Sequence, residues 1–478
     1  MFDMKIKVLS LFLAFLLVFS CMIPAVAADD GCDCDTPPVV TVRGFGSMLF
    51  TKDCFGRTVS LYPLSLSSIL FSLPYLVFGI GCVEIKKDDL AVKYISKGLD
   101  VLVGKLKVDN NGDSVNELIL ESSSPADVDT HRNSYYSFTR RAALNTGDYQ
   151  FKYDWRLDPV AAADGLNEYI EQIKKTTGHS KVIIVAHSEG NNVVASYLTR
   201  YGHESVSKLL FMSAAFNGIT LVGKMMNREI YAIGKADEFM DFIRGYFRQN
   251  NSLAVLTGLF EGMYKTGVLA KLLDKVGVFL ENNKDAFYDS CLVPLFGTYP
   301  GFWSFVPDEY YEDAKQNLLG NSAEYSALFE KTDYYQHEVR GKLADTLRSA
   351  RDSGVEIMSV CGYGIRQIPV YKDSCNTSDF LIDTKYMSFG ATCAPVGTSL
   401  ESAEGKYLSP DGEIDASTCL FPDTAWFVKY QEHNDFCNAY CDFLDWLISS
   451  DEAPTVFTSE RYPQFMICDA HMELSPVK

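Results

Sequence analysis

Apolar residues recur along this chain in two rhythms. Short runs, interrupted only at Thr41, Glu356 and Ser359, stand at Val39-Val40-Thr41-Val42, Val182-Ile183-Ile184-Val185, Leu209-Leu210-Phe211-Met212 and Val355-Glu356-Ile357-Met358-Ser359-Val360. Runs of this length predict parallel strands buried on both faces. Phe151-Lys152-Tyr153-Asp154-Trp155-Arg156 predicts a further strand and its exit. Between the runs the spacing changes to that of a helix. Leu166, Tyr169, Ile170 and Ile173 share one face of a helix that Gly178 should end, and Val193, Val194, Tyr197 and Leu198 repeat the pattern. Strand–helix alternation predicts an α/β fold, a mostly parallel twisted sheet flanked by helices with right-handed crossovers.

Three segments depart from this rhythm. Residues 1–28 place Lys5 and Lys7 before an apolar run from Val8 to Phe19, then Pro24 and the small-residue site Ala25-Val26-Ala27. That is the pattern of a secretory signal peptide, and the mature protein is expected outside the cell or in its envelope. Cys21 offers a rival reading as a lipidated cysteine, although Phe19 is bulky where a lipoprotein signal prefers a small residue. Residues 60–83 carry no charge. Pro63, Pro74 and the serines between Leu64 and Leu73 argue against a plain membrane-spanning helix. Two roles are open for the stretch, helices packed over a catalytic domain or an apolar surface that docks on lipid. From about Gly223 to Ser353 the pattern is helical without strands, as in a cap or lid inserted after a core strand. The expected organisation is therefore a leader at 1–28, a first part of the core at 29–222, a helical cap at 223–353, and a second part of the core at 354–478.

Charge narrows the function classes. The chain carries a formal −19, and removal of Asp3, Lys5 and Lys7 with the leader takes it one unit further. A chain this acidic lacks the basic footprint that nucleic acid demands. Of thirteen cysteines, Cys21 leaves with the leader. The even remainder permits disulfides in an exported protein. Cys32 and Cys34 are too close for an easy bridge, so one of them would reach Cys54. Cys437 and Cys441 stand one helical turn apart. No C-x-x-C pair or His/Cys cluster has zinc spacing, so neither a metal site nor a cofactor is expected.

The candidate chemistry begins at Ala186-His187-Ser188-Glu189-Gly190, directly after an apolar run and before a helical pattern. This fits the nucleophile-elbow pattern G-x-S-x-G with Ala in the first small place. Small residues flank Ser188 because a strand turning sharply into a helix has no room for bulk. A serine is a weak nucleophile at neutral pH and needs a base, with a third group to hold that base. In such folds the order is Ser, acid, His. Of seven histidines, elimination by position leaves His433, just before the last predicted helix at about 434–448. The acid should lie between Val360 and His433. Asp411, followed by Gly412, is the first candidate and Asp415 the reserve; either could equally be a surface Asx turn. Val42 runs into Arg43-Gly44-Phe45-Gly46, where paired glycines let the backbone approach a reacting carbonyl, and the main chain of Phe45 is the expected oxyanion donor.

These motifs resemble, in order, those of the lecithin:cholesterol acyltransferase family: Val-Val-Thr-Val-Arg-Gly-Phe-Gly-Ser, Tyr153-Asp154-Trp155-Arg156, Ala-His-Ser-Glu-Gly, and the Asp411-Gly-Glu-Ile segment followed by Glu432-His433. The resemblance implies an α/β-hydrolase fold with a cap and a membrane-binding subdomain. It also implies a triad of Ser188, Asp411 and His433 acting on ester-linked acyl chains, with the main chains of Phe45 and Glu189 as oxyanion donors. The departures are Ala186 in place of the family's usual Gly, Glu189 where an apolar residue is common, and Arg43-Gly44 in place of Pro-Gly. Glu189 would set a carboxylate beside the ester. Asp154 and Arg156 are expected to form an internal ion pair. The expected function is a secreted serine hydrolase that cleaves or transfers acyl groups of lipid esters. The alternatives are an esterase of soluble or polymeric esters, and a binding protein on an inactive hydrolase scaffold.

Overall fold

The computed structural model describes residues 37–45, 48–52, 56–62, 64–120, 148–230, 235–246, 254–372, 374–400, 405–433, 438–450, 452–469 and 473–478. The expected leader with Cys21, the Cys32/Cys34/Cys54 question and Cys437 lie outside the described residues.

Eight strands form the central sheet: β1 (Val39–Val42), β2 (Asp148–Phe151), β3 (Val182–His187), β4 (Val206–Met212), β5 (Glu356–Tyr363), β6 (Ala425–Lys429), β7 (Phe465–Cys468) and β8 (Leu474–Pro476). Their spatial order is β8-β7-β6-β5-β4-β3-β1-β2. All neighbours are parallel except β7 and β8. The apolar run of β3 lies near the middle, with Ala186 paired to Val42 on one side and Phe211 on the other. Its side chains divide between two cores. Val182, Ile184 and Ala186 join the cluster that holds Leu166, Ile170, Val193 and Val194. Ile183 and Val185 join the one that holds Phe443, Leu444 and Leu447 of the last helix, Asn438–Ser449. Burial on both faces leaves no position for a polar residue, which is why the strand reads as an unbroken apolar run. This is the α/β-hydrolase arrangement.

The second predicted strand is shorter than expected. β2 stops at Phe151, and Tyr153-Asp154-Trp155-Arg156 leaves the sheet as a loop. Arg156 is fully buried there and its guanidinium grips Asp154 at two points, Nε to Oδ1 at 2.9 Å and Nη2 to Oδ2 at 2.5 Å. It also donates to the carbonyl of Leu106 and to Ser114 Oγ. With all these donors satisfied, a buried cation is tolerable and a sharp loop is fixed.

Two helices, α1 (Leu66–Glu84) and α2 (Asp88–Val103), pack as a hairpin outside the sheet. α1 starts at Ser65, whose Oγ accepts from the N–H of Ser68, and it runs through Pro74. Leu70, Phe71, Val77 and Phe78 of α1 are exposed. Among the described residues no helix is long and apolar enough to cross a membrane. Helix α3 (Pro159–Thr177) follows the signals read from the sequence. Asp158 caps its N-terminus, Pro159 opens it, and Gly178 closes it at φ 76°. Helix α4 (Gly190–Tyr201) springs directly from β3.

Between β4 and β5 the described chain is helical. It covers the carboxyl edge of the sheet, where Phe302 and Phe305 reach Phe45 at ring-centroid distances of 5.8 and 6.0 Å.

Candidate active site

Ser188 stands at the tip of β3, where the strand turns into α4. Its φ is 56°, the left-handed region that a serine adopts only under constraint. The constraint is local packing. The N–H of Ser188 donates to the carbonyl of Met212 at 3.1 Å, and the side-chain amide of Asn191 donates to the carbonyls of both Ser188 and Met212. Gly190 lies against β1 so closely that a Cβ there would come within 2.0 Å of the Val42 carbonyl oxygen. The small residue after the nucleophile is thus dictated by the strand beneath it.

His433 closes on this serine. Its Nε2 lies 2.9 Å from Ser188 Oγ and its Nδ1 lies 2.7 Å from Asp379 Oδ2. With an anionic acceptor on Nδ1, that nitrogen carries the proton and Nε2 is left to accept from the serine hydroxyl. Asp379 is fully buried. Its Oδ1 accepts from the N–H groups of Leu381 and Ile382 at 3.1 and 2.8 Å. A second tie joins acid and base, since the N–H of His433 donates to the Asp379 carbonyl at 3.1 Å. Both loops are bent. Phe380 and Tyr430 take φ values of 76° and 63°.

His187, inside the elbow, lies behind the base. Its Nε2 meets the main-chain carbonyl of His433 at 2.8 Å. Burial, with the nearby His433 and Arg43 charges, holds the His187 ring well below the usual histidine pKa. The ring is therefore neutral and donates Nε2–H to that carbonyl, fixing the base from behind.

The acid differs from the sequence expectation. Asp411 does not reach His433. Its Oδ2 lies 2.8 Å from Lys429 Nζ and 3.1 Å from the Tyr363 hydroxyl, and its Oδ1 accepts from Ser409 Oγ at 2.6 Å. Burial alone would raise the Asp411 carboxyl, but hydrogen bonds from Lys429, Ser409 and the Glu413 N–H outweigh it and hold the group below the ordinary range. The reserve candidate Asp415 is an N-terminal cap whose Oδ1 accepts from the Ser417 N–H, the surface turn weighed against it. Asp379 carries no turn signal because Phe380, Leu381 and Ile382 follow it. An acid leading an apolar triplet was the available clue, since such an acid is carried into the interior.

Gly44, in the loop expected to supply an oxyanion donor, lies against Ser188 and Glu189. A Cβ on Gly44 would lie 2.9 Å from the Glu189 nitrogen and 3.0 Å from Ser188 Oγ. That volume, left open by the missing side chain, is where the oxygen of a tetrahedral intermediate would sit. Helix α4 starts at Gly190 with Glu189 as its cap, so the positive end of its dipole lies beside the Glu189 nitrogen. The side chain of Phe45 packs on Trp155 at 4.4 Å between ring centroids.

Glu189 departs from its expected effect. Its side chain is fully buried, 3.5 Å from the Tyr153 hydroxyl, and its Oε1 has no hydrogen-bond partner. Burial above all, with Asp154 nearby, pushes this carboxyl well above its usual pKa. The group is a neutral acid inside the fold and presents no carboxylate to the ester.

Residues 148–234, which hold the Tyr153–Arg156 loop and the Ser188 elbow, match the model of the family described as lecithin:cholesterol acyltransferase. The resemblance read from the motifs is borne out over that stretch. No curated protein matches the chain. Among solved structures, the chain is similar to one titled "The crystal structure of Tle4-Tli4 complex", at 13% identity and a TM-score of 0.28 over 79% of this chain and 81% of that one. That likeness is too slight to add to the fold described above. The family match supports an enzyme that acts on lipid acyl esters, as hydrolase or as transferase.

Proposed function

We propose that the protein is an exported serine hydrolase or acyltransferase of lipid esters. It uses Ser188 as nucleophile, His433 as general base and then acid, and Asp379 as the group that orients the base. The observation that carries this reading is the continuous chain Asp379 Oδ2, His433 Nδ1, His433 Nε2, Ser188 Oγ at 2.7 and 2.9 Å. Ser188 Oγ attacks the ester carbonyl as its proton passes to His433 Nε2. The developing oxyanion enters the space beside Gly44, where it meets the main-chain N–H groups of Glu189 and Phe45. His433 returns the proton to the leaving alcohol, and water or a second alcohol releases the acyl group by the same path.

Lipid is favoured over soluble esters by the exposed face of α1. Leu70 is 57% exposed, Phe71 72% and Phe78 53%. An apolar face of this kind suits contact with a lipid surface. The aromatic cover of Phe45, Trp155, Phe302 and Phe305 suits an acyl chain over the nucleophile. Residues 1–28 supply the export signal in this reading.

The test is labelling by a fluorophosphonate probe. The wild type should label, while Ser188→Ala and His433→Ala should not, with melting temperatures close to wild type in both. A folded wild type that takes no label would favour a binding protein on this scaffold.

A further inference from the structure

A cavity of about 470 Å³ opens between the α1–α2 hairpin and residues 290–295, lined by Tyr75, Lys93, Tyr94, Ser96, Lys97, Asp100, Lys107, Ser290, Pro294 and Leu295. None of these belongs to the site around Ser188. Lys93, Lys97 and Asp100 fall at helical spacing on one stripe of α2, and Lys107 comes from the turn that follows it. The charges are unbalanced. Asp100 is shared by two lysines, with Oδ1 2.7 Å from Lys107 Nζ and Oδ2 3.1 Å from Lys97 Nζ. Lys93 adds a third cation, so the cavity is positive in a chain whose formal charge is −19. Ser96 is buried in its wall, with its hydroxyl against the Cys291 thiol. Tyr75, Tyr94 and Ser290 add hydroxyl-bearing side chains to its lining.

We propose that this cavity binds the phosphate of a membrane phospholipid, separate from the ester being cleaved, and that it seats the hairpin on the bilayer. Ammonium groups beside hydroxyl donors are the chemistry that a phosphate diester calls for. The lipid source follows from continuity with the apolar face. The ring of Tyr94 stands 4.6 Å, edge to face, from that of Phe78, and Phe78 is exposed beside Val77. A phosphate held in the cavity would therefore leave its acyl chains beside the surface that Phe71, Val77 and Phe78 present. The proposal deepens the lipid reading of the function but does not need an active triad.

The test uses the full chain carrying Ser188→Ala, so that no lipid is consumed. Co-sedimentation is measured with phosphatidylglycerol vesicles and with digalactosyldiacylglycerol vesicles, which lack phosphate. The expected result is a clear preference for the phospholipid, cut by roughly tenfold when Lys93→Gln and Lys97→Gln are combined, given the attraction of a lysine to an anionic leaflet. The melting temperature and, in the Ser188 background, fluorophosphonate labelling should be unchanged by the two lysine substitutions. Equal binding to both vesicles, no binding to either, or a double variant that binds as before overturns the proposal. Saturable binding of inorganic phosphate without any preference between vesicles overturns the lipid assignment in favour of a free anion. Loss of probe labelling in the wild type would count against the hydrolase alone.

Discussion

At the scale of single residues, Asp379, which the sequence reading passed over, and Asp411, its first candidate, are given different work by their neighbours. Asp379 is fixed by two N–H groups and faces the base. Asp411 neutralises Lys429. Asp379→Asn should keep the shape of the site but favour the wrong tautomer of His433, lowering kcat by about 10⁴-fold as for other triads. Asp411→Asn should leave kcat within a few-fold of wild type and lower the melting temperature instead. Equal kinetic losses in both variants would count against this division. Glu189 gives the second residue-scale prediction. Its folded-state pKa is raised by burial, so at a pH above the ordinary carboxylate range the unfolded chain has lost a proton that the folded chain retains. Stability contributed by the neutral form is then complete in acid and is lost as pH rises. Glu189→Gln should therefore raise the melting temperature at pH 8, by about 2 °C or more. The gain should vanish near pH 4. A thermal-shift series across pH reads both limbs.

Among elements, those fixed by strong periodicity were legible and those fixed by tertiary contact were not. β3, β4 and α3 follow from apolar spacing, capping and Gly178, because each carries its own local cause. Ser188 and His433, which the structure brings together, were legible for the same reason, through a constrained turn and elimination by position. The acid was not, because its loop is held by long-range partners. The short pairing of Ile365–Arg366 with Thr377–Ser378 has no periodicity to announce it. The strand and exit expected over Phe151–Arg156 were misplaced for a similar reason, since the strand ends at Phe151 and Arg156 draws the segment out of the sheet toward Leu106 and Ser114. The α1–α2 hairpin carries the prediction at this scale. Replacing Phe71 and Phe78 together by Ser should depress turnover of vesicle-borne lipid roughly tenfold or more, given the apolar area withdrawn from the bilayer. Turnover of a short soluble ester should not change. A parallel loss on both substrates would show that the two rings serve the fold and not the interface.

On the scale of the whole molecule, the described cysteines Cys82, Cys291, Cys361, Cys375, Cys393 and Cys419 are free thiols. Burial pushes those of Cys291 and Cys419 up to about 12. The parity of the cysteine count permitted disulfides, but Cys82, Cys361 and Cys419 are small apolar fillers of the core clusters, and Cys393 packs against one of them.

The double tie between Asp379 and His433, through side chain and backbone, has a kinetic corollary. Acid and base travel as one body, and the ring is already seated on the hydroxyl before any ester arrives. Whatever rearrangement a lipid surface provokes concerns access alone. A stopped-flow trace with a short chromogenic ester should thus rise from the mixing dead time as an unretarded burst of leaving group. An induction phase would mean that the machinery is put together only on demand.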